Sequence, residues 1–238
     1  MSTISELHRH FQQADTKAQR VFEVIRGGGI AIFPVYAGYG VFGATDSALD
    51  RIYAAKQRAP HKLFTLVGNR DLHRQAHLIT ASDAAFVDRV TNGLDLALGV
   101  VAELRLNDSM IAKISPGAMA RSARDGRVNI LLNAGAIMNE VAALSQAERL
   151  PVFGTSANLS GFGLKGRVQE IEAPVTAAAD LIIDEGPLPG YSSTIVDFTS
   201  RTTVRFGHRY ADVRAIAKAE FGLKLPAEPS ATPAAVSN

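Results

Sequence analysis

The sequence predicts a single α/β domain built on a twisted, mixed β-sheet. Helical and strand patterns alternate along the chain without a break in composition until the C-terminal tail, which is typical of this fold class. Apolar residues make up 47% of the 238 residues and charged residues 20%, so the chain can form a sizeable core. We expect an N-terminal extension over residues 1–14, the folded domain over 15–224, and a disordered Pro/Ala/Ser-rich tail over 225–238.

The first predicted elements are a helix, a strand and a loop. Asp15–Arg26 has apolar residues at the three/four spacing of one buried helix face, and Asp15 can cap its N-terminus. Ile30–Phe33 is a continuous apolar run, typical of a strand buried on both faces, and we expect Pro34 to end it. The glycine-punctuated segment Val35–Gly43 is predicted to be a loop.

The alternation continues through the rest of the chain. Thr45 or Asp46 caps a second helix, which ends near Lys56 because Pro60 cannot continue it. The further predicted elements are strands at Leu63–Val67, Val100–Leu106, Val128–Leu132, Leu150–Phe153, Leu181–Asp184, Thr194–Asp197 and Thr203–Arg205, and helices at Ala81–Val90, Ala136–Leu144 and Tyr210–Phe221.

Charge and residue usage exclude several classes of function. The chain has 25 Lys and Arg against 23 Asp and Glu, a net charge of +2, which is too small to require a nucleic-acid partner. It has no Cys, which excludes disulfides, thiolate catalysis and Cys-ligated zinc. No signal-peptide pattern and no apolar run of membrane-spanning length is present. We therefore expect a soluble, cytoplasmic protein, as a monomer or a homodimer, with no membrane partner.

A dense group of small polar residues follows the predicted strand at Leu150–Phe153. The segment Gly154–Gly161, with the sequence GTSANLSG, has too little apolar bulk to be core. Ligands of open α/β sheets bind at the carboxyl ends of strands. Ser and Asn donate hydrogen bonds without charge, and Gly lets backbone N–H groups approach closely. The segment therefore predicts an anion or nucleotide site, although Ser156 and Asn158 taken alone fit a tight turn equally well.

Taken together, the polar segments resemble the YrdC-like family of threonylcarbamoyl-AMP synthases. The block Thr155–Gly161 is close to the specific family signature T-S-A-N-x-S-G, whereas the match of Lys56-Gln57-Arg58 to K-x-R is weak by itself. The match extends from about Ala18 to Gly207 with a weak middle. Its other segments are Gly28–Pro34 with Tyr39-Gly40, Lys62, Ile182–Pro187 with Gly190, Ser193–Asp197, and Arg205-Phe206-Gly207.

The resemblance implies a YrdC-like twisted open mixed sheet with flanking helices and a large concave cleft. It implies an enzyme that joins ATP, bicarbonate and L-threonine, with Mg²⁺ on the nucleotide, as a step in tRNA threonylcarbamoyladenosine modification. A chain of this kind would bind the phosphates with the point charge of a Lys, the forked guanidinium of an Arg and uncharged hydrogen-bond donors. The sequence shows no metal-ligating pattern. By position, the implied catalytic residues are Lys56, Arg58, Ser156 and Asn158, and the implied nucleotide-binding residues are Lys62, Thr155, Ser193, Thr194 and Arg205.

The sequence departs from the family where the amino acid substrate is held. Val35, Tyr36 and Ala37 replace a Thr, an acidic or polar residue and often a second Thr. We expect Val35, Tyr36 and Tyr39 to contact the substrate, and the loss of hydroxyl donors favours a less polar amine.

A second departure concerns an arginine. Asn129 stands in the segment that corresponds to the family's V-R-x-P, so the arginine is missing unless Arg121 or Arg127 supplies it. Three functions remain open: synthesis of threonylcarbamoyl-AMP, synthesis of a carbamoyl- or acyl-adenylate from another substrate, and non-catalytic binding of nucleotide, tRNA or double-stranded RNA.

Overall fold

Ten strands form one open, twisted, mixed sheet in the computed structural model, which describes residues 16–229. The order across the sheet is β10-β9-β4-β6-β3-β7-β2-β1-β8, with β5 paired to β6. The strands are β1 (Ala31–Val35), β2 (Gly38–Gly43), β3 (Thr65–Val67), β4 (Leu98–Glu103), β5 (Ala123–Arg124), β6 (Arg127–Leu132), β7 (Phe153–Ser156), β8 (Leu181–Ile182), β9 (Thr194–Asp197) and β10 (Thr202–Arg205).

Helices lie between the strands in the predicted alternation. Thr45 caps α2, since its Oγ1 accepts a hydrogen bond from the Ala48 N–H at 3.2 Å, and Thr80 forms a capping box with Asp83 at the start of α4. The helices are α1 (16–26), α2 (Asp46–Ala55), α3 (Arg70–Ala76), α4 (Ala81–Asp88, continued by a π-turn over Arg89–Gly93), α5 (Pro116–Ser122), α6 (Ala136–Glu148), α7 (Ala173–Ala177) and α8 (Tyr210–Phe221).

The two faces of the sheet are covered to different extents. Along β6, Val128, Ile130 and Leu132 point into a large core closed by α2, α4 and α8. On the opposite face, Leu131 packs in a smaller core formed with α1 and α6. Strand side chains alternate between faces, so Asn129 lies on this second face, where α1 and α6 cover only part of the sheet. The uncovered part forms a cleft.

Three predictions about local structure differ from the structure. Val35–Gly43 is not a loop, because Gly38–Gly43 forms β2 and pairs with β1 as a hairpin. Pro34 does not end β1: β8 pairs only with Ala31 and Ile32, so no strand on that side requires an N–H from Pro34. The predicted strand Leu150–Phe153 lies instead at Phe153–Ser156, because pairing with β2 selects the register.

The folded region extends beyond the predicted boundary at residue 224. Leu225 is buried in the large core, and the carbonyl of Pro226 accepts a hydrogen bond from the Tyr210 hydroxyl at 2.6 Å. The predicted extension over 1–14, the proposed cap Asp15 and residues 230–238 lie outside the described residues. Within residues 16–229, no helix combines the length and apolar character that crossing a membrane requires.

A buried pair of histidines joins α3 to β6. His77 Nε2 lies 3.2 Å from the carbonyl oxygen of Val128 and must therefore carry the proton. His77 Nδ1 then accepts the hydrogen bond from His73 Nδ1–H at 2.9 Å, so both rings are neutral. Burial lowers the pKa of His73 to about 4 and that of His77 to about 3.

We expect this pair to make the protein sensitive to acid. Both pKa values are below the unfolded value of about 6.5, so the unfolded chain binds protons that the folded chain does not. The stabilisation is complete above pH 6.5 and is lost as the pH falls towards 4 and then 3. Urea titrations at pH 7.5 and pH 5 should show a loss of about 2–4 kcal/mol in the free energy of unfolding. The exposed His61 supplies the control: H61Q should keep the full difference, and an H77Q variant that also keeps it would contradict the assignment.

Candidate functional site

The cleft has a floor made of one cross-strand row of residues. Strand register places Asp197 beside Val101, Val101 beside Asn129, and Gly154 between Thr65 and Phe42. Asn129 Nδ2 donates to Thr65 Oγ1 at 2.9 Å, which joins the two halves of the row. The six residues line a cleft of about 700 Å³. The row runs from a charged residue at β9 to an aromatic ring at β2.

Gly154 is required where the floor becomes apolar. A Cβ atom at this position would lie 2.0 Å from the Phe42 ring, so only glycine lets the ring lie across β7. Phe42 also stacks on Phe33, with ring centroids 4.4 Å apart. The first glycine of the GTSANLSG segment therefore shapes the cleft through packing and not through phosphate binding.

A segment that we call the strap, residues 183–193, crosses from the β1 side of the sheet to β9. It is hydrogen bonded to the β1–β2 hairpin through Gly190 N–H and the Ala37 carbonyl, and to the loop after β7 through Leu188 N–H and the Gly166 carbonyl. Its last residues, Tyr191 to Ser193, line the cleft. The cleft is thus enclosed by segments that are far apart in the sequence.

Tyr39 holds the strap and does not line the cleft. It is fully buried; its hydroxyl donates to the Gly186 carbonyl at 2.8 Å and accepts from the Glu185 N–H at 3.0 Å. Tyr39 is therefore a predicted substrate contact that the structure does not place among the cleft-lining residues. Val35 and Tyr36, the other two predicted substrate contacts, do line the cleft.

Lys56 lies beneath the GTSANLSG segment. It is 1% exposed, and its Nζ donates to the carbonyl oxygens of Ser156 and Asn158. Burial, with a smaller contribution from the charge of Arg58, lowers the pKa of Lys56 to about 7. A neutral amine still has two N–H groups for these two carbonyls. Lys56 is not among the residues that line the cleft. Its observed contacts position the loop, and its role as a point charge on phosphate stays a prediction.

Ser156 and Asn158, held by Lys56, line the cleft as predicted, together with Thr155. Thr155 and Ser156 belong to β7 itself, where they pair with Val41 and Gly40. The strand therefore presents them at its carboxyl end, as the sequence suggested.

Arg58 also lines the cleft, but part of its guanidinium is already engaged. Nε donates to the Lys62 carbonyl at 3.1 Å and Nη2 donates to the Leu63 carbonyl at 2.7 Å. The group lies 5.6 Å from the centre of the Phe64 ring. These contacts hold the guanidinium in one orientation, which lowers the entropy cost of binding an anion.

Of the four remaining predicted nucleotide contacts, two line the cleft and two do not. Ser193 and Arg205 line the cleft, where Arg205 Nη2 donates to Ser193 Oγ at 2.8 Å. Thr194 faces away from it, 3% exposed, and its Oγ1 accepts from the Gly207 N–H. Lys62 donates to Ser160 Oγ at 2.7 Å and is not among the lining residues either. Thr194 and Lys62 are therefore predicted nucleotide contacts that the structure does not place among the cleft-lining residues.

The cleft contains further polar residues that the motifs did not indicate. Arg127 lines it and is paired with Asp197 at 2.8 Å, whereas Arg121 pairs with Asp46 at 3.8 Å and lies outside. Of the two arginines considered as replacements, only Arg127 is in place. The other unpredicted lining residues that can form hydrogen bonds are His61, Thr65, Ser122, Arg124, Asn129, Tyr191 and Ser192. Only the alternation along β6 could have indicated Asn129 from the sequence.

Unpartnered polar atoms are concentrated beneath the cleft surface. Five buried side-chain atoms of the described residues have no hydrogen-bond partner, and three of them, in Ser122, Asn129 and Asn158, belong to lining residues. These atoms have almost no accessible surface, so a ligand in the cleft does not contact them in this conformation. The four arginines and the hydroxyl groups that line the cleft are the groups that fit a nucleotide. Within residues 16–229, no group of three His, Asp or Glu side chains could hold a metal ion.

We expect Lys56→Met to destabilise the protein. The change keeps the length and packing of the side chain but removes the N–H donors of two carbonyls. Leaving them unsatisfied should lower the free energy of unfolding by about 1–3 kcal/mol. Urea unfolding measures this loss, and hydrogen exchange should show faster opening at residues 156–160.

Lys62→Met is the matched control. Its Nζ contacts one hydroxyl on a half-buried side chain, so we expect a loss of less than about 1 kcal/mol. Equal losses in the two variants would contradict the positioning role of Lys56.

Solved structures with the same fold span several organisms. A hypothetical protein (smu.1377c) from Streptococcus mutans UA159 matches with a TM-score of 0.75 and 18% identity, over 87% of this chain and 93% of that chain. P. abyssi Sua5, determined with L-threonine, matches with a TM-score of 0.67 and 19% identity over 89% of this chain, but this chain spans only 59% of that protein. E. coli YciO matches with a TM-score of 0.64 and 20% identity, over 82% and 90%. A search of the curated proteins found no match.

The family is established by sequence. A model of the Sua5/YciO/YrdC family, described as "Telomere recombination", matches residues 23–207. This range contains every strand of the sheet and every residue that lines the cleft, and it confirms the resemblance drawn from the motifs. The chain belongs to the Sua5/YciO/YrdC family.

Proposed function

We propose that this protein forms a carbamoyl-adenylate from ATP, bicarbonate and an amino acid, and that it acts in tRNA modification of the threonylcarbamoyladenosine type. The observation that carries the proposal is the combination, in one cleft, of four arginines with the uncharged hydroxyl side chains of Thr155, Ser156 and Ser193. The arginines suit the anionic groups of the reactants, and the family membership supports the reaction class. P. abyssi Sua5, which shares the fold, was determined with an amino acid bound.

The reaction joins two anions and therefore needs fixed positive charge more than it needs a base. The amine and bicarbonate condense to a carbamate with loss of water. A carbamate oxygen then attacks the α-phosphorus, and the bond to the β-phosphate breaks to release pyrophosphate. Mg²⁺ arriving on ATP would neutralise charge on the leaving group. Arg58 would orient a phosphate or carbamate with its fixed guanidinium, and Ser156 and Asn158 would donate without adding charge.

Binding of double-stranded RNA has less support. Phosphate contacts of that kind need cations that are free to pair with the backbone. Several arginines on the outer surface already pair with carboxylates: Arg26 with Glu148, Arg51 with Asp180, and Arg89 with Glu220.

We expect Arg58→Lys to impair the reaction and to cost some stability, because a single ammonium group cannot donate to both the Lys62 and Leu63 carbonyls in the geometry of the guanidinium; urea unfolding separates the two effects. Lysine keeps the charge but cannot form the fork that contacts two oxygens, so kcat/KM should fall about 10–1,000-fold. Pyrophosphate release in the presence of ATP, Mg²⁺, bicarbonate and a mixture of amino acids measures the loss.

Arg26→Lys is the control, since Arg26 lies outside the cleft and pairs with Glu148 on the surface. It should retain wild-type activity. If wild-type protein neither releases pyrophosphate with any amino acid nor binds ATP by calorimetry, the proposed function is wrong.

A further inference from the structure

We infer that Glu172 is a positioning residue of the cleft and that its carboxylate orders the loop that follows Asn158. The inference rests on the proposed function, in which Asn158 donates to the reactants. We call residues 159–165 the rim loop, because they begin directly after Asn158 and supply Gly163 and Leu164 to the lining of the cleft. Glu172 itself does not line the cleft, and no motif in the sequence indicated it.

Both ends of the rim loop meet at the Glu172 carboxylate. Oε2 accepts a hydrogen bond from the Leu159 N–H at 2.8 Å, and Oε1 pairs with Lys165 Nζ at 2.7 Å. The other residues of the rim loop lie between these two points. Holding both ends together removes many of the conformations that a loop fixed at one end can adopt.

Glu172 and Lys56 also hold one peptide unit from its two sides. The carbonyl of Asn158 and the N–H of Leu159 belong to the same planar peptide group. Lys56 Nζ donates to that carbonyl, and Glu172 Oε2 accepts from that N–H. The peptide plane therefore cannot rotate without breaking the hydrogen bond to the carboxylate, and hydrogen bonds to charged groups are stronger than those between neutral groups. The backbone of Asn158 is oriented in this way, since the plane begins at its Cα atom.

Packing restrains the tip of the rim loop only weakly. Ser160 is held by Lys56 and Lys62, but Phe162 is 67% exposed. The glycines on both sides of Phe162 have positive φ angles, and no atom lies within 4 Å of a Cβ position on either. Glycine loses more conformational freedom on ordering than any other residue. The contacts at the two ends therefore decide how far the rim loop is ordered before a ligand binds.

Glu172 stands on a rigid part of the fold. Its own carbonyl accepts the Val175 N–H at 2.9 Å at the start of α7, and its side chain makes no capping hydrogen bond, so the carboxylate is available to the rim loop. Val175 is 1% exposed and packs in the large core. The side chains of Glu172 and Lys165 are only 19% and 17% exposed, so salt screens this pair less than a surface pair. A side chain supported in this way can position a cleft residue without touching a ligand.

Glu172→Ala removes both contacts of the carboxylate. We expect the KM for ATP to rise about tenfold, because binding must then order the rim loop at the expense of affinity. The kcat should stay within about threefold of wild type, since a loss of order before binding affects KM more than the step that follows. Glu172→Gln keeps an acceptor for the Leu159 N–H and should recover most of the lost affinity. Pyrophosphate release with ATP, Mg²⁺, bicarbonate and a mixture of amino acids measures both constants.

Glu170→Ala is the matched control. Glu170 also accepts a backbone hydrogen bond, from the Gly166 N–H at 3.2 Å, but this contact lies beyond the rim loop and the Glu170 side chain is 51% exposed. We expect wild-type KM and kcat for this variant. Lys165→Met breaks the ion pair from the other end and should raise the KM for ATP in the same direction as Glu172→Ala. The test therefore does not depend on the folding of one variant.

Hydrogen exchange of the unliganded variants tests the ordering of the rim loop without the reaction. Residues 158–165 should exchange about tenfold faster in E172A than in wild type, and at the wild-type rate in E170A. This pattern, together with a raised KM for ATP in E172A, supports the inference.

Wild-type exchange or a wild-type KM in E172A overturns the role of Glu172 and leaves the proposed function intact. Equal losses in E170A and E172A, or no recovery in E172Q, also overturn it, because the effect would then be a general loosening of this part of the chain. A wild-type protein that neither releases pyrophosphate nor binds ATP overturns the proposed function and this role together.

Discussion

The unequal covering of the two sheet faces is the constraint on which the site depends. Helices α2, α4 and α8 pack on one face over the large core, whereas α1 and α6 cover only part of the other. A sheet face left open to solvent must be polar or bind a ligand, since exposing a large apolar area to water is unfavourable in free energy. The cross-strand row from Asp197 to Phe42 meets that condition with a polar half and an apolar half. The polarity of the cleft follows from which strand contributes which residue.

Buried anchors keep this open face rigid. Lys56 binds two carbonyls under the loop that carries Ser156 and Asn158, and Tyr39 binds the strap from beneath. Neither side chain lines the cleft. Substitutions of these residues would nevertheless impair binding, because the cleft residues depend on them for position. Loss of activity in such variants is therefore poor evidence of ligand contact unless stability is measured as well.

The histidine pair is another buried polar contact that holds two elements of the fold together. His73 and His77 are both neutral and share one hydrogen bond between their Nδ1 atoms. Their burial makes α3 and β6 acid-sensitive, and β6 carries the cleft residues Arg127 and Asn129 on either side of Val128. A fall in activity below pH 6 would therefore have to be separated from unfolding before it is assigned to the chemistry.

The sequence by itself determined the α/β class, most helices and strands, the family and the loop that carries Ser156 and Asn158, because these depend on local spacing and on contiguous motifs. Only the tertiary structure decided that Val35–Gly43 contains a strand, that Arg127 reaches the cleft while Arg121 does not, and that Lys56, Lys62, Thr194 and Tyr39 lie outside it. A motif records which residues occur together but not which way each side chain points. That direction is set by pairing with strands distant in the sequence and by burial, which no local pattern contains.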